Sequence, residues 1–204
     1  MRAAVEEYQN RISAICQEYR EVVLPLVAFL EVVDSEFPVE ILNEVRSIFS
    51  HFARVYDDAS DDTDISSELS KAESHLKRAI LDCHKYGCLS LSDFYNMFRK
   101  EYRFADLSVI DNGDFLSQIT QNFSDGQELL LEAKKSERQN KDSDELYRKF
   151  EGAFVKFLEN YNLINKKIGI VHRVERKAKW TRFWGTFGFW ISLALAVVGI
   201  IRAL

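Results

Sequence analysis

The chain has 204 residues, enough for one modest domain with an appended segment, and its 29% charged and 47% hydrophobic residues exclude both a disordered chain and a multi-span membrane protein. The net charge of −5 is uneven: Lys166, Lys167, Arg173, Arg176, Lys177, Lys179 and Arg182 face Glu175 alone, and Arg202 adds one more, so the tail carries +7 and residues 1–165 carry −12. An acidic body repels nucleic-acid phosphates, which argues against duplex binding through it.

Only two prolines and eight glycines interrupt the chain, a shortage of breakers that favours long helices over a turn-rich sheet. The first helix is announced by Val5, Tyr8, Ile12, Ile15, Tyr19, Val22, Leu26, Phe29 and Val33, spaced alternately three and four apart. Pro25 falls inside that stripe and predicts a kink or an end. A turn over 34–38 follows, and Pro38 opens a second helix with Ile41, Val45, Ile48, Phe49, Phe52 and Tyr56 on its apolar face. Next comes an acidic stretch, Asp57, Asp58, Asp61, Asp62 and Asp64, which lacks the glycine and ligand spacing of a calcium loop and reads as a solvated loop and helix cap.

A third helix starts near Asp64, with Ile65, Leu69, Ala72, Leu76, Ile80, Cys83 and Tyr86 on one side, and a bend is expected around Gly87, Ser90 and Ser92. Asp111-Asn-Gly-Asp114 predicts a turn. Beyond it Leu116, Ile119, Phe123 and Leu130 mark a fourth helix, and Ser136–Ser143 is a polar turn. From Asp144 a fifth helix carries Leu146, Phe150, Phe154, Phe157, Tyr161, Ile164, Ile168 and Val171, with no breaker before the C-terminal apolar run. The expected architecture is an all-α antiparallel bundle over 1–165, a basic collar over 166–182 and a single transmembrane helix over 183–201.

That last expectation rests on nineteen uncharged residues, FWGTFGFWISLALAVVGII, long enough at ~1.5 Å each to approach a ~30 Å hydrocarbon core. Trp180, Arg182, Trp184 and Trp190 suit an anchoring belt at the headgroup boundary, and Lys166, Lys167, Arg173, Arg176, Lys177 and Lys179 suit anionic headgroups. The positive flank lies on the N-terminal side, which predicts a single-pass protein with its body in the cytoplasm. Gly188, Ser192 and Ala196 form a small-residue stripe at a spacing of four, a candidate seam for a homo-oligomer.

Cys16, Cys83 and Cys88 are odd in number and read as reduced thiols, with no second cluster to complete a zinc site. No metal and no cofactor is expected. Two stretches place an arginine ahead of a histidine: Arg46-Ser-Ile-Phe-Ser-His51 and Arg78-Ala-Ile-Leu-Asp-Cys-His84. A histidine that relays the 2′-hydroxyl proton and an arginine that steadies the phosphorane charge are the groups RNA cleavage needs. Around a helix, however, positions 46 and 51 stand about 140° apart.

These pairs, with Asn43–Arg54 and Glu73–Tyr86 around them, resemble HEPN-type helical domains, whose signature is Arg, four to six residues, then His. The resemblance covers about residues 38–100. Active members of that family carry Asn, Asp or His directly after the arginine, whereas Ser47 and Ala79 stand there in this chain. The resemblance implies a membrane effector of a bacterial antiphage module, CRISPR-associated accessory proteins among them. Such an effector oligomerises and permeabilises or perturbs the inner membrane, with a defence complex or another protein as partner. The alternatives are a membrane-tethered scaffold or adaptor, and a metal-independent ribonuclease using Arg46 and His51, with Arg78 and His84 as the weaker pair. Nothing beyond these pairs argues for an enzyme.

Overall fold

The computed structural model describes the backbone of residues 2–34, 38–56, 62–139 and 144–203; its described side chains run from 6 to 192, apart from 35–37, 57–63 and 140–143. Every regular element among the described residues is helical: α1 (Arg2–Glu18), a π-helical turn (Tyr19–Val23), α2 (Leu24–Asp34), α3 (Val39–Val55), α4 (Asp62–Glu101), a short 3-10 segment (Leu107–Gly113), α5 (Asp114–Gln139) and α6 (Asp144–Ala203). The all-α expectation stands. Asp57, Asp58 and Asp61 of the acidic stretch, residues 35–37 of the first turn and 140–143 of the polar run lie outside the described residues.

Local chemistry explains where these helices change. Pro25 has no N–H, and its ring would press on the carbonyl four residues back. The chain answers with a π turn just ahead of it, in which the Leu24 N–H bonds the Tyr19 carbonyl five residues earlier. Pro38 then caps α3 with φ −75°, and its carbonyl accepts from the Leu42 N–H at 3.2 Å. The expected turn at 111–114 is present, with Asp111 and Asn112 at φ 49° and 55° and Gly113 at φ 94°. Asp106 opens the 3-10 segment by accepting from the Ser108 N–H at 3.1 Å.

One expectation fails in α4. Gly87, Ser90 and Ser92 do not bend it; the helix runs unbroken for 40 residues. A Cβ at Gly87 would sit 2.5 Å from Cε2 of Phe154, so the glycine is a slot that lets a ring approach the helix backbone. Ser90 returns its hydroxyl to the Tyr86 carbonyl, the usual way a mid-helix serine is satisfied.

Two compact units make up the chain. The first comprises Met1–Asp93 with Asp125–Phe157, the second Phe94–Ser124 with Leu158–Leu204. Within the first, α3 is antiparallel to α4, since Glu44 meets His75 and His51 meets Glu68. By contrast α1 and α2 follow the direction of α4: Arg11 pairs with Glu73 and Asp34 with Ser90. The bundle is therefore mixed in direction rather than wholly antiparallel. Its core joins Ile15, Val23 and Leu30 to Ile48, Leu76 and Cys83, and a second cluster joins Leu81 and Ala133 to Leu146 and Phe150. The second unit packs Tyr95, Phe98 and Tyr102 with Phe115, Ile119, Ile164 and Val171, and Tyr95 stacks on Phe123 at 4.0 Å. Each fully buried large apolar side chain here contributes about 1.5–3 kcal/mol.

The spanning helix expected over 183–201 is corrected. No helix among the described residues is long and apolar enough to cross a membrane. Gly185, Thr186, Gly188 and Ser192 dilute the apolar character of the first half of that run. The side chains of 193–201 lie outside the described residues. The single-pass arrangement drawn from that helix is withdrawn with it.

Candidate functional site

Two places gather polar or exposed side chains beyond what packing requires. The first lies between α3 and α4 in the first unit. Glu44 and His51 on α3 are seven residues apart, and so are Glu68 and His75 on α4. Seven residues are nearly two turns, so each pair shares a face. Because the helices are antiparallel, each histidine meets the other helix's glutamate. His51 Nδ1 lies 2.7 Å from Glu68 Oε2 and His75 Nδ1 lies 2.6 Å from Glu44 Oε2. Between these bonds the two imidazoles stack, centroids 5.1 Å apart and planes 25° from parallel.

Glu68 is the hub of this cluster. It also accepts from Arg54 at 3.2 Å and from Lys71. The bond with His51, and after it the bond with Lys71, holds its carboxyl down at about 2. Each histidine meets its glutamate through Nδ1, and neither Nε2 has a hydrogen-bond partner among the described residues. The arrangement clamps two helices together, and it fixes both histidine rings through Nδ1.

Seen against this cluster, the arginine–histidine pairs separate. His51 is buried, whereas Arg46 is exposed and stands about 140° away around α3; the guanidinium near the His51 ring belongs to Arg54, 3.5 Å from Nδ1. Arg78 is likewise exposed. His84 is buried, its ring centroid 5.4 Å from that of Phe154, and its Nδ1 has no hydrogen-bond partner among the described residues. Burial pushes the His84 pKa down and keeps the imidazole neutral. Neither pair is assembled into one local site. Sequence reading missed His75, Glu44 and Glu68, whose signal was a repeated Glu-x6-His spacing on consecutive helices rather than a motif within one.

Burial likewise raises the Cys83 and Cys88 thiols to about 12, which makes them poor nucleophiles. Among the described residues no group of three or more His, Cys, Asp or Glu is arranged to hold a metal ion.

The second place is the face of α6 in the second unit. Trp180, Phe183, Trp184, Phe187, Trp190 and Ile191 recur at steps of three and four, so they fall within about 120° of the helix surface. The five aromatic members are 47–65% exposed. They touch mainly each other: Trp180 and Trp184 edge to face at 5.6 Å, Phe183 stacked on Phe187 at 6.1 Å. Phe189 is exposed on the opposite side. Thr181 and Thr186 return their hydroxyls to carbonyls four residues back, so those polar groups are satisfied within the helix.

The cations ahead of this stripe fall into two groups. Lys167 is bound to Asp111 at 2.8 Å and Lys179 to Glu175 at 2.8 Å. Lys166, Arg173, Arg176, Lys177 and Arg182 have no ion pair among the described residues. Of the small-residue seam, a Cβ on Gly188 would meet nothing within 4 Å and Ser192 is exposed, while the side chain of Ala196 lies outside the described residues.

No family model, no curated protein and no solved structure matches this chain.

Proposed function

We propose that this chain is a helical scaffold that docks on the surface of an anionic bilayer through the aromatic stripe of α6, and gathers further copies or a partner protein there. One observation carries the reading: five large aromatic side chains stand exposed on one helical face, immediately after cations that the chain leaves unpaired. A soluble surface rarely leaves such a patch uncovered. Tryptophan and phenylalanine favour the headgroup–acyl boundary, and each nearby Lys or Arg adds about 1 kcal/mol on an anionic leaflet. A protein partner would bury the rings equally well, but the basic flank selects phosphate-rich surfaces. This is docking in the plane of the interface, and it requires no span.

Flotation with vesicles tests it. The full chain is expected to float with vesicles rich in phosphatidylglycerol, to stay behind with phosphatidylcholine, and to release as salt screens the cations. The double substitution Trp184→Ala/Phe187→Ala should weaken flotation at least about tenfold while leaving the melting temperature in place. Flotation that ignores both the lipid charge and this substitution would end the proposal.

A membrane-perturbing effector is the same docking carried to high coverage. Rings wedged into one leaflet by many copies release a dye trapped in the vesicles, whereas a scaffold leaves the vesicles sealed.

A further inference from the structure

Three of the unpaired cations of the second unit share one groove. Arg173, Lys177 and Arg182 border a groove of about 710 Å³ whose apolar lining includes Phe104, Val109, Ile170 and Val174. That volume lies in the range of ligand clefts, roughly 300–1,000 Å³. From α6, residues 170, 173, 174, 177, 178 and 181 face it, at the spacing of one helical face. The Arg182 guanidinium lies 3.9 Å over the Phe104 ring, which holds this long side chain in place without neutralising it. The one carboxylate present, Asp106, is already in use: its Oδ1 accepts from both the backbone N–H and the hydroxyl of Ser108.

Three cations over an apolar floor set two requirements on an occupant. An inorganic anion satisfies the cations and leaves the floor wet. An apolar helix covers the floor and strands the charges. An amphiphile with a phosphate at one end meets both, and Thr181 and Arg182 in the groove wall adjoin Trp180 and Phe183 of the docking stripe in sequence. We infer that this groove seats one anionic phospholipid, its phosphate on Arg173, Lys177 and Arg182 and the start of an acyl chain on Val109, Ile170 and Val174. The inference rests on the docking reading and adds to it a stoichiometric lipid site.

Titration calorimetry of the full chain with dihexanoyl phosphatidic acid, kept below its micelle concentration, tests the site. The lipid binds saturably at one per chain, at least tenfold more tightly than dihexanoyl phosphatidylcholine or inorganic phosphate. Arg173→Gln/Lys177→Gln lowers that affinity about 30-fold without moving the melting temperature, because both side chains are exposed. Val109→Ser, at an exposed apolar position, weakens the lipid and leaves inorganic phosphate unchanged. Phosphate binding as tightly as the lipid, or full affinity in the double variant, overturns the inference. Vesicle flotation without saturable binding of the monomeric lipid removes the groove and spares the docking surface. Saturable binding in a chain that does not float removes the docking surface and spares the groove.

Discussion

The α3–α4 cluster and the α6 surface use similar side chains to opposite ends. In the first, two histidines, two glutamates, Arg54 and Lys71 bond to one another across two helices. In the second, cations and aromatic rings point into solvent with few partners of their own. A polar group that finds its partner inside the chain contributes to holding the fold; one left unpartnered on a surface is free to bind something else. Chemical reactivity of individual residues is therefore a poorer guide here than whether their bonding capacity is already spent. His51 looks catalytic by type, yet it is buried on α3 while Arg46, its expected partner, is exposed about 140° away around the helix.

Several measurements sharpen this contrast, the largest effect first. Phe150 is fully buried in the first unit, and Phe150→Ala should cost about 3–5 kcal/mol in chemical denaturation. The surviving folded fraction should still float with anionic vesicles at parental affinity. A parallel loss of flotation per folded molecule would show that stability and docking are not separable in the way the two regions suggest.

Acid should act on the first unit in two windows. His84 is held neutral by burial with its pKa below the ordinary 6.5, so the unfolded chain binds that proton more readily. Its contribution is complete above pH 6.5 and erodes as pH falls below it. Glu68 is held at about 2 against an ordinary 4.5, so its contribution is complete above 4.5 and is lost as pH falls from there toward 2. Melting temperature followed against pH should show both declines. His84→Phe should flatten the upper one and Glu68→Gln the lower; an unchanged acid slope in Glu68→Gln would remove the clamp as its cause.

The smallest effect separates the cations of α6. Lys166→Gln removes an unpaired charge and should weaken vesicle binding about fivefold, equivalent to about 1 kcal/mol. Lys167→Gln removes a charge already held by Asp111 and should weaken it less. Equal losses in flotation would show that net charge alone, and not pairing, governs the surface.

How far these features were legible depended on the range of the interaction behind them. The stripe from Tyr8 to Tyr19, the break at Pro25, the turn at Asp111–Asp114 and the unbroken course of α6 were readable, because backbone geometry and a 3.6-residue period act over a few residues. Past the π turn the fully buried positions move one along, from the expected Val22 and Phe29 to Val23 and Leu30. Gly87 was misread as a bend. Only Phe154, 67 positions away, reveals it as a packing slot. The span expected over 183–201 has no counterpart among the described residues, where no helix is long and apolar enough to cross a membrane.

By itself, then, the sequence determined an all-helical chain with an acidic body, a basic stretch and aromatic residues clustered after it, since composition and local periodicity need no tertiary partner to express themselves. Only the tertiary structure decided which of those charges are spent. Glu44 answers His75 across two helices, Asp111 answers Lys167 from a turn, and Arg182 settles on Phe104. Those pairings depend on helix direction and register, and these follow from how buried side chains such as Leu76, Phe154 and Ile164 fit together rather than from the order of residues along any one helix.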